Sequence, residues 1–64
     1  MTNEQYVTQA CKIKGLSLSK PTTAAPEIVA YDFQKKDSRG VFPCVIDAIS
    51  WAQAREQINS YYAA

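Results

Sequence analysis

The stretch that decides the fold runs from Ser50 to Tyr62 and reads SWAQAREQINSYY. Ser50 and Gln53 have the spacing of a capping box, in which each side chain hydrogen-bonds a free backbone N–H group at a helix start. Beyond that start, apolar residues recur at helical spacing and form one stripe made of Trp51, Ala54, Ile58 and Tyr61. The stretch is therefore predicted to be an amphipathic helix that begins at the serine.

The residues before this helix have the composition of a strand. Val41–Ile49 is apolar and rich in β-branched side chains, which favours an extended backbone. Pro43 has no N–H group to donate to a neighbouring strand, so this strand is expected at a sheet edge or with a β-bulge. The alternative is one helix from Pro43 to Tyr62, giving a small three-helix all-α protein. We rank it second because it leaves the capping box unused.

A second predicted strand precedes the first and would pair with it as a hairpin. Glu27–Gln34 alternates in a way that suits a strand, although Pro26 at a first helical position would also suit a helix. We favour the strand because β-branched and aromatic residues dominate. The segment Lys35–Gly40 then forms the turn, with Gly40 in the positive-φ position that closes a longer hairpin loop.

Alternation gives this hairpin two apolar faces, and only one of them can be covered by helices packed on one side. We expect the covered face to carry Val29, Tyr31, Phe33, Phe42, Cys44, Ile46 and Ala48. The open face would then carry Ile28, Ala30, Val45 and Ile49. Those four residues are either scattered surface side chains or a patch that a partner or a second copy covers.

The N-terminal part begins with another predicted helix, Met1–Lys14. Thr2 and Gln5 repeat the capping-box spacing, and Gly15 suits a left-handed helix stop. Its apolar face would comprise Tyr6, Val7, Ala10, Cys11 and Ile13. Leu16–Ser19 alternates and is a candidate short strand, and the proline-flanked segment after it is predicted to be a loop.

These elements predict one small α+β domain over residues 1–64. The elements in chain order would be an N-terminal helix, a β-hairpin with a possible third strand, and a C-terminal helix. The two helices would pack on one face of the sheet. A core of this size supplies only about 3–5 kcal/mol of stability unless a staple or a partner adds to it. The chain has no membrane-length apolar run and no signal-peptide pattern at its start, so a cytoplasmic location without membrane contact is expected.

Composition argues against most catalytic chemistry. The chain has no histidine, no glycine-rich phosphate loop and only scattered acidic residues. Its two cysteines, Cys11 and Cys44, cannot complete a structural zinc site without further ligands. We interpret them as reduced thiols rather than a disulfide. The sequence therefore predicts a non-enzymatic protein without a metal or another cofactor.

The leading functional hypothesis is a small regulator, an inhibitor or adaptor that covers a surface of a protein partner. Chains of this size are often encoded by phages and mobile elements. Tyrosine and tryptophan often dominate binding energy at protein interfaces. Tyr61 and Tyr62, at the end of the last helix, are the candidate contacts, although Tyr61 also fits a residue that packs on the core.

A second hypothesis is nucleic-acid binding through Lys35, Lys36 and Arg39, which crowd the predicted hairpin tip. A helix–three strands–helix order is similar to that of double-stranded RNA-binding domains, whose second helix opens with paired lysines after a serine. Only Ser50, Ala54 and Arg55 fit that pattern, and the phosphate-binding lysines are missing. The net charge of +1 also argues against a protein that mainly binds phosphates.

A third hypothesis is a structural subunit that forms a homo-oligomer.

Overall fold

A computed structural model describes residues 1–63 and confirms the α+β class. In chain order, the elements are α1 (Asn3–Lys14), β1 (Ser17–Ser19), β2 (Ile28–Tyr31), β3 (Cys44–Ala48) and α2 (Trp51–Ala63). The strands form one antiparallel sheet in the order β1-β2-β3. The possible third strand is therefore present. The three-helix alternative is wrong because residues 44–48 pair with β2 instead of extending α2.

Helix α1 begins and ends where its local chemistry predicts. The Thr2 hydroxyl accepts the Gln5 backbone N–H at 3.1 Å, and the Gln5 side chain accepts the Thr2 backbone N–H at 3.0 Å. Gly15 ends the helix with φ of +74°, and its N–H donates to backbone carbonyls of the last turn. The predicted capping box and left-handed stop are both confirmed.

Helix α2 begins after Ser50, and its capping differs from the prediction in one bond. The Ser50 hydroxyl accepts the Gln53 backbone N–H at 3.2 Å, as expected of a cap. The Gln53 side chain, however, accepts the N–H of Ile49 at 3.1 Å instead of that of Ser50. The Gln53 side chain thus provides an acceptor for the backbone N–H of Ile49, one residue before the predicted donor Ser50 and directly after the end of β3.

The assignment of the two sheet faces is confirmed for Ile46 and Ala48 but wrong for β2, Cys44 and Val45, and a β-bulge is part of the reason. Ala30 pairs with Ile46 while Tyr31 pairs with Cys44, so Val45 is an extra residue in β3. The bulge turns Cys44 to the open face and leaves Val45 buried. The helices cover the face that carries Leu18, Ile28, Ala30, Ile46 and Ala48, and the open face carries Val29, Tyr31, Cys44 and Asp47. Both consequences expected of Pro43 are confirmed, because β3 is an edge strand and contains the bulge.

The core lies between this covered face and the two helices. Val7 and Cys11 enter it from α1, and Ala54 and Ile58 enter it from α2. Trp51, Tyr61 and other half-buried side chains pack around its edge, which confirms the apolar stripe of α2. Ile13 does not belong to the buried face of α1, since it is 74% exposed.

The outer edge of β3 is occupied by side chains of α2. Gln57 accepts the N–H of Asp47 at 2.7 Å and donates to its carbonyl oxygen at 3.0 Å. Its amide therefore takes the place that the backbone of a further strand would occupy. Edge strands with free backbone groups invite pairing with other chains, and Gln57 blocks that pairing at Asp47.

Candidate binding surface

Three aromatic rings gather where the open face of the sheet meets the β2–β3 loop. Tyr31 and Phe33 stack with their centroids 6.1 Å apart, and Phe42 meets Phe33 edge to face at 4.7 Å. Tyr31 is 40% exposed and Phe33 is 53% exposed. We call Tyr31, Phe33 and Phe42 the aromatic cluster. Exposed large apolar side chains that lie together mark candidate interaction sites, whereas isolated ones do not.

Strand geometry places these rings on the same side. Tyr31 faces outward because Ile28 and Ala30 occupy the alternate, covered positions of β2. Phe33 follows in the turn after β2, and Phe42 lies shortly before β3. Cys44 is the register partner of Tyr31, and its thiol is free and exposed beside the cluster. Partial desolvation and, second, the charge of Asp47 raise the pKa of that thiol.

A compact turn built on Asp37 shapes the adjoining loop. The Asp37 side chain accepts the backbone N–H of Arg39 at 2.8 Å and that of Val41 at 2.9 Å. The Gly40 N–H donates to the Asp37 carbonyl at 3.0 Å, and Gly40 has φ of +81°, as predicted. The bond from Val41, and then those from Arg39 and Gly40, lower the pKa of Asp37. We call residues 35–40 the basic loop.

The three predicted cations of this loop do not form one patch. Arg39 pairs with Asp37 at 3.3 Å, the one ion pair found within residues 1–63. Lys36 lies along Gly40, while the Lys35 ammonium lies 5.9 Å from the centre of the Tyr61 ring. Lys35 therefore approaches α2, and Lys36 and Arg39 stay at the tip of the loop.

The predicted contacts Tyr61 and Tyr62 pack on the core, each half-buried. Their rings meet edge to face at 4.9 Å, and the Lys14 ammonium lies 4.5 Å from the centre of the Tyr62 ring. Burial, and second the nearby charge of Asp32, raise the pKa of Tyr62. Lys35 and Tyr61 are thus brought together, whereas Tyr62 contacts a cation from α1.

Arg55, the basic residue that matches the RNA-binding pattern, already has interaction partners within the fold. The Arg55 guanidinium lies 4.1 Å from the centre of the Tyr6 ring and donates to the Asn3 side chain at 3.2 Å. Ala54 is fully buried. The start of α2 therefore offers no free basic side chain of the kind that this family uses.

Sequence reasoning missed the aromatic cluster because it placed Tyr31, Phe33 and Phe42 inside. The alternation of the sequence correctly places Tyr31 and Phe33 on the same face of the sheet, but the prediction that the helices cover that face is wrong.

The described residues, 1–63, contain no cluster of histidine, cysteine or acidic side chains that would hold a metal. Within the same range, no helix has the length and apolar character to span a membrane.

Comparison with protein families, with curated proteins and with solved structures finds no match to this chain.

Proposed function

We propose that this chain is a small non-enzymatic regulator, an inhibitor or adaptor, that covers a surface of a protein partner with the open face of its sheet. One observation carries the proposal: the aromatic cluster, with Tyr31 and Phe33 exposed and Phe42 half-buried, lies on a face that neither helix covers. Aromatic side chains gain large contact area on burial and are enriched among the residues that dominate interface energy. The partner would lie on the cluster, with the basic loop at its rim.

The edge chemistry favours face-on contact over strand addition. Gln57 occupies both backbone groups of Asp47 at the outer edge of β3. At the other edge, β1 is only three residues long and ends beside Lys20 and Pro21. A partner strand would be blocked at Asp47 on one edge and would find only three strand residues on the other, which favours side-chain packing on the open face.

Capture with matched variants tests the proposal. Wild-type chain, Phe33→Ala and Ile13→Ala would each be immobilised and exposed to lysate of the source cells. Phe33 and Ile13 are both exposed large apolar residues, on the open sheet face and on α1 respectively. We expect a protein that wild type and Ile13→Ala retain and Phe33→Ala loses, and whose binding protects the Cys44 thiol from alkylation. Equal capture by all three variants would contradict the proposal.

Nucleic-acid binding is the second candidate, because the basic loop borders exposed rings on which bases stack. Anisotropy of labelled duplex DNA, duplex RNA and single-stranded oligonucleotides at low and moderate salt would test it. A salt-sensitive complex that Phe33→Ala weakens would favour this candidate over a protein partner.

A homo-oligomer is the third candidate, in which a second copy of the chain covers the aromatic cluster. Light scattering at two protein concentrations tests it.

A further inference from the structure

The basic loop and the aromatic cluster share a wall. Val41 and Phe42 line the depression over the aromatic cluster, and the same two residues line a second depression among the loop cations. A ligand that rests on Phe42 is therefore a direct neighbour of Lys36 and Arg39, which line the second depression. One ligand could therefore pack an apolar group on the aromatic cluster and place a charged group beside these cations.

The cations at this wall retain donors for a ligand. Within residues 1–63, no carboxylate lies within ion-pair distance of Lys36. The Arg39 guanidinium bonds Asp37 only through Nη2, at 3.3 Å, and it carries five N–H donors in all. Asp37 thus orients the guanidinium while other donors stay available to an acceptor.

Charge is distributed unevenly along the open face. The depression at the loop end is lined by the cations Lys36 and Arg39 and by one carboxylate, that of Asp37, which pairs with Arg39. The exposed Asp47 lies further along β3, opposite Val29. A nucleic-acid strand carries phosphates along its whole length, so one that crossed the sheet would meet the Asp47 carboxylate. A peptide can place its carboxylates at one end only, which suits this arrangement.

We infer that the open face binds an acidic segment of a protein partner. An apolar side chain of that segment packs on the aromatic cluster, and neighbouring carboxylates pair with Lys36 and Arg39. The inference rests on the proposed function and specifies the chemistry of its partner. Charge complementarity of this kind contributes mainly to specificity and to the rate of association.

The test selects ligands without assuming a sequence. A phage-displayed library of random 12-residue peptides would be selected on the wild-type chain. We expect enriched peptides that combine aspartate or glutamate with an aromatic or aliphatic residue. For a synthetic enriched peptide, Lys36→Gln with Arg39→Gln should weaken binding about three- to tenfold, and added salt should weaken it too. The matched control Lys20→Gln removes an exposed charge from the β1–β2 loop and should leave affinity unchanged.

The outcomes separate this inference from the proposed function. Enriched peptides that lack acidic residues but need Phe33 would overturn the inference and leave the proposed function standing. Acidic peptides that bind Phe33→Ala as tightly as wild type would overturn both. A single-stranded oligonucleotide that binds more tightly than the acidic peptides would overturn the inference in favour of nucleic acid, and a selection without enrichment would overturn it outright. Circular dichroism of each variant confirms that a lost affinity is not lost folding.

Discussion

The two faces of β2 differ in what they pack against, although four consecutive residues build both. Ile28 and Ala30 point to the helices and are fully buried, whereas Val29 and Tyr31 point away from them. The helices lie close to the sheet, and the molecule is only 17 Å across its shortest axis. The buried part of this layer holds aliphatic side chains and Cys11, the rings of the helices pack at its edge, and the aromatic cluster remains outside. The covered face therefore supplies stability, and the open face supplies a surface for recognition.

The largest expected effect is on the covered face. Ile46→Ala should lower the free energy of unfolding by about 2–5 kcal/mol, because it removes a fully buried side chain and leaves a cavity. That loss is comparable to the whole stability of a domain this small, so much of the chain should unfold. Urea denaturation followed by circular dichroism measures the effect. Val29→Ala, on the open face of the same sheet, is the control, and an equal loss there would erase the distinction between the faces.

Gly15 joins α1 to the sheet and should give the next largest effect. At its φ of +74°, Gly15→Ala should cost about 1–2 kcal/mol. A Cβ there would also lie 2.6 Å from Nε2 of Gln34, but that atom ends a flexible side chain that can move aside, so the cost comes mainly from the backbone angle. Combining Gly15→Ala with Gln34→Ala should therefore recover little of the lost stability. If the single variant melts like wild type, the helix does not end in a left-handed turn.

The cap of α2 should have a smaller effect. Ser50→Ala should cost about 1 kcal/mol, since it removes the acceptor for the Gln53 N–H. Thermal melting measures this, with Ser60→Ala on the exposed side of the same helix as control. Equal melting temperatures for the two variants would mean that the serine does not cap the helix.

Phe33→Ala should have the smallest effect on stability, about 0.5–1 kcal/mol, because its ring is half exposed and packs against the rings of Tyr31 and Phe42 outside the core. The same variant is expected to lose partner binding. Urea denaturation beside the Ile46→Ala variant measures the contrast directly. A loss as large as that of Ile46→Ala would make the aromatic cluster part of the core.

Features specified by neighbouring residues could be predicted from the sequence. Thr2, Gly15, Gly40 and Ser50 each act through hydrogen bonds or backbone angles within a few residues, and all four have their expected roles. The order of strands and helices follows from the same local signals. Pro43 even indicated the bulge or edge that β3 contains.

Which face of the sheet the helices cover could not be predicted from such local signals. Both faces of residues 27–34 are apolar, so hydrophobicity alone does not say which one the helices cover. An extra residue such as Val45 shifts the alternation of β3 without leaving a periodic signal. The choice depends on how closely the helices approach the sheet, which is a property of the packed chain. The candidate surface was missed for this reason.

The two thiols allow the most direct test of which face is open. Cys44 lies on the open face beside Tyr31, and Cys11 is buried on the core-facing side of α1. The pKa values of both thiols are raised, in each case first by desolvation, so access to the reagent is what distinguishes them. Treating the folded chain with a bulky maleimide and digesting it for mass spectrometry should find the label on Cys44, with Cys11 labelled only in denaturant. Labelling of Cys11 at the same rate as Cys44, or a monomer whose Cys44 resists the reagent, would contradict the account.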